Sequence, residues 1–124
     1  LVLSESFEAK VTKDGIKKDY IYYDSHELTK FRMRWGFKKV KFKRDRQDLG
    51  SILVYNQHTG RYFKVEAVDK DIASGVSLYQ HKIHKKFVNE ILNAELNPEN
   101  LAIARMKIRD IVSDEFLKNK KNNS

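Results

Sequence analysis

Polar and apolar residues alternate through much of the first half of the chain, most strictly near its middle. At 39–43, Val40 and Phe42 fall on one side and Lys39, Lys41 and Lys43 on the other, the period of two expected of a half-buried strand. Gln47-Asp48-Leu49-Gly50 carries turn chemistry, because Asp bonds nearby backbone and Gly accepts positive φ. The run Ile52-Leu53-Val54-Tyr55 is apolar throughout and reads as a strand buried on both sides. His58-Thr59-Gly60 turns the chain again, and 61–68 alternate with Phe63, Val65 and Ala67 inward and Tyr62 outward. The pattern is an antiparallel meander with one wall of lysine.

Upstream, Phe7, Ala9 and Val11 alternate with Glu8, Lys10 and Thr12, predicting a first strand after a linker at 1–6. Asp14-Gly15 is a strong hairpin signal, so 16–23 should return as one antiparallel strand. Asp24 with Glu27 three residues on predicts a capping box and a short helix, apolar along Leu28, Phe31 and Trp35 and ended by Gly36. About five or six short antiparallel strands with close turns commonly curl into a small barrel.

After Asp69 the period changes. Residues 69–75 read as a linker, and Ser77 with Gln80 forms a second capping box. Tyr79, Ile83, Phe87 and Ile91, flanked by Val88 and Leu92, mark the apolar stripe of one helix. Asn97-Pro98 stops it and opens another, apolar along Leu101, Ala104, Ile108, Ile111 and Val112. The closing KNKKNNS has nothing to bury and predicts a structureless basic tail. The expected organisation is mainly β with appended α: a small antiparallel β-barrel with one inserted helix at 1–70, a helical hairpin at 71–117, and the tail at 118–124.

Composition sharpens this picture at one place. The net charge is +8, and the segment 30–46 holds nine bases and one acid, while the 16 bases and 16 acids elsewhere cancel. Concentration of the whole excess in one segment is the footprint expected for a polyanion partner. The competing reading is a solvated strand face on which lysines discourage edge pairing. With no cysteine, disulfide scaffolds and thiolate metal sites are excluded. No apolar run approaches the roughly 20 residues of a membrane span, and no signal peptide is visible. The chain opens on leucine, as expected of a piece cut from a larger protein.

Three stretches carry a family resemblance. RDRQDLGSILVYNQHTGRYFKV is similar to the signature of the β-barrel that follows the catalytic domain in phage Mu-type transposases; Asp45, Asp48, Leu49, Ile52, Val54, Tyr55 and Gly60 match, while Arg46 stands where proline is usual. GIKKDYIYYDSHEL resembles the start of that region, and GVSLYQHKIHKKF resembles the helix after the barrel in TnsB-type members. The resemblance extends from about Phe7 to about Phe87. It implies the non-catalytic C-terminal part of a DDE transposase, which binds DNA backbone and supports transpososome assembly during DNA transposition and integration. The implied partners are DNA, other transposase subunits and, through the C-terminal tail, a AAA+ target-selecting ATPase, with no membrane. Mg²⁺ is implied only for the separate ribonuclease H-like catalytic domain, and the setting is a bacterial cytoplasm at the nucleoid. A protein-interaction module without DNA binding is the competing class.

The candidate DNA-contacting residues are Arg32, Arg34, Lys38, Lys39, Lys41, Lys43, Arg44 and Arg46. No recognition helix presents Arg or Asn for base readout, so contact should be to phosphates and largely independent of sequence. His81 and His84 lie one turn apart but lack the further ligands zinc requires, and they read as surface or interface histidines. Tyr20, Tyr22, Tyr23, Tyr55 and Tyr62, with Phe42 and Phe63, are either core residues or base-stacking platforms; alternation favours core for most and leaves Tyr62 open. No Gly-rich phosphate loop, nucleophile elbow or paired carboxylates can be identified.

Overall fold

The computed structural model describes the backbone from Ser4 to Asn122 and side chains as far as Lys118. The chain divides into two compact units, Leu1–His81 and Lys82–Ser124. In the first, β1 (Ser4–Lys10), β4 (Lys39–Asp45), β5 (Ser51–Asn56) and β6 (Arg61–Glu66) form a sheet in the order β1-β4-β5-β6, every pair antiparallel. β2 (Ile16–Lys18) and β3 (Ile21–Tyr23) make a separate ribbon. Helix α1 (His26–Trp35) is inserted between β3 and β4, as the sequence predicts. Among the described residues all six strands lie in this unit and the long helix α4 (Pro98–Asn122) in the next, so the whole is mixed, with antiparallel β followed by α.

The sheets do not close into the expected barrel. The ribbon strands are three residues each, too short to continue a ladder. The ribbon reaches β6 through one isolated bridge, Tyr23 to Ala67, flanked by Asp24 N–H to the Glu66 carbonyl and Val68 N–H to the Tyr22 carbonyl. Next to β1 it is tied by the Thr12–Gly15 bridge. Gly15 is required there: its φ is +92°, and a Cβ would meet the Tyr23 carbonyl oxygen at 2.1 Å.

Several local expectations change. The single strand at 16–23 is broken by Asp19 and Tyr20, both at positive φ (52° and 68°), the geometry of a two-residue type I′ turn. Neither residue is the Asn or Gly that usually marks such a turn. Ser25, not Asp24, caps α1 by accepting the Leu28 N–H, while Asp24 Oδ1 accepts the Ser25 N–H. Gly36 ends the helix as expected, its N–H donating to the Arg32 carbonyl. β5 is buried on one side only: Ile52 and Val54 face the core, while Leu53 and Tyr55 are half-exposed. The linker at 69–75 holds a short helix, α2 (Lys70–Ala73), capped by Asp69 and anchored by buried Ile72 and Ala73.

The residues that carry the family resemblance hold the core together. Leu49 is fully buried, and its carbonyl accepts the Tyr23 hydroxyl at 2.6 Å. Asp48 Oδ1 accepts both Gly50 N–H and Gly75 N–H at 2.9 Å, pinning the chain beyond α2 to the β4–β5 turn. Leu49 N–H to Val76 O and Leu78 N–H to Arg46 O extend the same seam. Ser77 and Gln80 then form the predicted reciprocal capping box at the start of α3 (Leu78–Phe87).

In the second unit α3 passes into a π-helical turn (Val88–Leu92), and a loop leads to α4 (Pro98–Asn122), capped by Asn97 as predicted. α4 continues as helix through Lys118–Asn122, where the structureless tail was expected; Asn123 and Ser124 lie outside the described residues. The buried line along α3 and the π turn is His81, His84 and Val88, whereas the predicted stripe leaves Tyr79, Ile83 and Ile91 exposed. Both histidines are therefore interior, against the surface reading. Periodicity misplaced the face because His81 finds a buried polar partner: its Nε2 donates to the Asp19 carbonyl at 2.6 Å.

Burial pushes the Tyr23 phenol up to about 12, partly offset by the nearby Arg44 guanidinium. Above about pH 10 the unfolded chain loses this proton while the folded chain keeps it. Stability should therefore be unaffected by this group below about pH 10 and fall by about 2–3 kcal/mol as pH rises towards about 12. Urea unfolding of wild type and Tyr23→Phe at both ends of that range checks it: the variant should lack this part of the decline.

Candidate nucleic-acid interface

The lysine row is a direct product of strand parity. Along β4, Val40, Phe42 and Arg44 are buried, while Lys39, Lys41 and Lys43 are exposed on the opposite face. Register then adds neighbours that sequence alone does not place: Lys10 lies opposite Lys39, Glu8 opposite Lys41 and Ser6 opposite Lys43. On the other flank Leu53 stands opposite Lys43, and β6 supplies Lys64 opposite Leu53 and Tyr62 opposite Tyr55. The outer face of the sheet is thus mainly cationic, interrupted by Glu8 and by Glu66 beside Lys64, with two tyrosines on it.

Tyr62 keeps 46% of its surface exposed. Its ring lies 5.1 Å from that of Tyr55, tilted by 56°, and Lys43 Nζ sits 5.0 Å from its centroid. Ser6, Phe7, Glu8, Lys41, Phe42, Lys43 and Tyr62 line an open groove of about 320 Å³. Tyr23 and Phe42 are core residues, as alternation favours, while Tyr20 and Tyr22 are exposed beside Lys17.

The remaining sequence candidates do not converge on this row. Arg44 is 2% exposed; its Nη2 meets Asp19 Oδ2 at 2.7 Å and its guanidinium lies 5.4 Å from the Phe7 ring centroid. Its parity on β4 sends it inward, so Arg44 is a structural residue and not part of the exposed face. Arg46, at the β4–β5 turn, is 3.5 Å from Glu5 in a partly solvated ion pair of the kind worth at most about 1 kcal/mol. Arg32 and Arg34 occupy the last turn of α1, with their guanidinium groups over Phe37 and Trp35. That helix packs through Phe31 on Phe63, whose side chain is on the face opposite Tyr62, and Trp35 stacks on His58 at 3.5 Å. Lys38 is exposed at the entry to β4. The expected single patch is a three-lysine row with separate basic groups around it.

No three His, Asp or Glu side chains converge as a metal site among the described residues. No helix among them is long and apolar enough to cross a membrane.

The sheet order, the Asp-Leu-Gly turn anchored by buried Leu49, and the cationic outer face define an antiparallel-sheet module with helices appended. The chain belongs to the family of Mu transposase C-terminal domains, whose family model matches residues 1–63. Such a domain is a non-catalytic part of a transposase, and a transposase-related role follows. No curated protein matches the chain.

The geometry separates two kinds of arginine, and chemical modification reads the difference. Phenylglyoxal should react quickly with Arg34 and Arg46 in the folded protein and leave Arg44 protected until the protein unfolds. Equal modification of Arg44, mapped by mass spectrometry under native conditions, would contradict its buried placement.

Proposed function

We propose that this chain is the DNA-gripping, TnsB-like C-terminal portion of a DDE transposase, engaging phosphates through the outer face of its sheet and supporting transpososome assembly. The observation that carries the reading is the row Lys39, Lys41 and Lys43, all exposed on one strand. Side chains two residues apart on a strand stand about 6.5–7 Å from one another, close to the spacing of successive phosphates along one DNA strand. Lys10, opposite Lys39, widens the patch at its end. Strand chemistry with Mg²⁺ belongs in this reading to a separate catalytic domain, and the setting is a bacterial nucleoid.

A second reading rests on α4. Ile111, Val112, Phe116 and Leu117 are exposed, next to an open apolar groove of about 350 Å³ whose lining includes Ile83, Phe87, Ile91 and Ile108. Apolar surface of this kind suits a protein partner, whether a neighbouring subunit or an ATPase regulator. The two readings are compatible if the sheet meets DNA and the helices meet protein.

About three phosphate contacts should give log affinity against log salt a slope near −2.7. Lys39→Glu/Lys41→Glu/Lys43→Glu should weaken binding to any duplex and flatten that slope, with the fold intact because no core residue changes. Unchanged affinity and slope in the folded triple variant would leave the face merely solvated and favour the protein-interaction reading.

A further inference from the structure

Tyr62 is the more exposed of two outward tyrosines on a largely cationic face, and its surroundings suit more than a phosphate. Tyrosine in the middle of a sheet face usually packs against cross-strand neighbours. Tyr62 does so with Tyr55 by a tilted contact, yet nearly half of it remains open to the groove. Lys41, Lys43 and Tyr62 all line that groove. Its volume of about 320 Å³ lies within the roughly 300–1,000 Å³ of small-ligand clefts. Lys43 Nζ lies over the ring, 5.0 Å from its centroid; on its flexible stem the ammonium can swing aside, yield the face to a base and meet that nucleotide's phosphate.

We infer that this groove holds an unpaired nucleotide of DNA, its base stacked on Tyr62 and its phosphate neutralised by Lys43 and Lys41. A base inside a duplex presents only its edges, whereas stacking on a protein ring needs a free face. The site therefore favours single-stranded or gapped DNA over blunt duplex at this position. Glu8, directly across from Lys41, places a carboxylate at the groove, where it can accept a hydrogen bond from a base N–H such as thymine N3–H. The inference rests on the DNA-binding reading and adds the strand state that the face prefers.

Fluorescence anisotropy with the whole chain tests it, using a labelled oligothymidylate, the same strand with abasic sugars, and a blunt duplex. Tyr62→Ala should weaken the oligothymidylate complex by roughly five- to hundredfold, the range for loss of one stacked base, and change duplex binding less than about twofold. Tyr62→Phe should keep the wild-type preference, and the abasic strand should bind wild type as weakly as the normal strand binds Tyr62→Ala. If Tyr62→Ala affects neither ligand, or both equally, or if wild type does not distinguish abasic from normal strand, the inference is overturned while duplex binding through the lysines stands. If wild type binds neither strand nor duplex, the DNA reading falls with it.

Discussion

The contact on which the first unit depends is the ion pair between buried Arg44 and partly exposed Asp19. Arg44 reaches from the central strand β4 to the turn joining β2 and β3, where Asp19 sits at positive φ. Positive φ at two successive non-glycine residues costs about 1–2 kcal/mol each, so the turn persists only because its surroundings hold it. The Asp19 carboxylate is held by Arg44, and its carbonyl accepts His81 Nε2 from the start of α3. One turn residue therefore joins sheet, ribbon and helix. Phe7 packs on the guanidinium, and Tyr23, the last residue of the ribbon, ties the same region to the Leu49 carbonyl.

The same strand supplies the outer face. Because side chains alternate, a strand that buries Val40, Phe42 and Arg44 must expose Lys39, Lys41 and Lys43. A one-residue slip in register would bury three lysines and expose the ion pair, so the core fixes the face. The internal pair thus contributes to the candidate interface without touching any ligand, by setting which side of β4 is outside. Tyr62 comes to that face by the same rule through β6, paired with Tyr55 and two strands away from the lysines in sheet order.

Much of this was legible in the sequence. The alternation at 39–43, the Gly36 stop, the Ser77–Gln80 box and the Asn97 cap all appear where the residue chemistry places them, because each depends on local backbone bonds. What escaped depends on contacts distant in sequence. Nothing local to Arg44 distinguishes it from its basic neighbours; only its parity, read against an acid 25 residues earlier, shows that it is internal. Extending the alternation of Val40 and Phe42 by two residues would have placed it there. The buried histidines misled for the opposite reason: a polar residue satisfied by a distant carbonyl makes a core face look polar. The barrel failed to close because the Asp19–Tyr20 turn shortens the ribbon, and that turn lacks the usual residue signature.

A double-mutant cycle on Arg44 and Asp19 tests the central claim most directly. Arg44→Met keeps a long apolar side chain, and Asp19→Asn keeps a residue that tolerates positive φ, so the cycle isolates the charge contact. Equilibrium unfolding of the two single variants and the double variant should give a coupling of about 2 kcal/mol, with each single variant much less stable than wild type. A coupling below about 0.5 kcal/mol, with the β2–β3 turn unchanged in Asp19→Asn, would show that the fold is organised by something other than this pair.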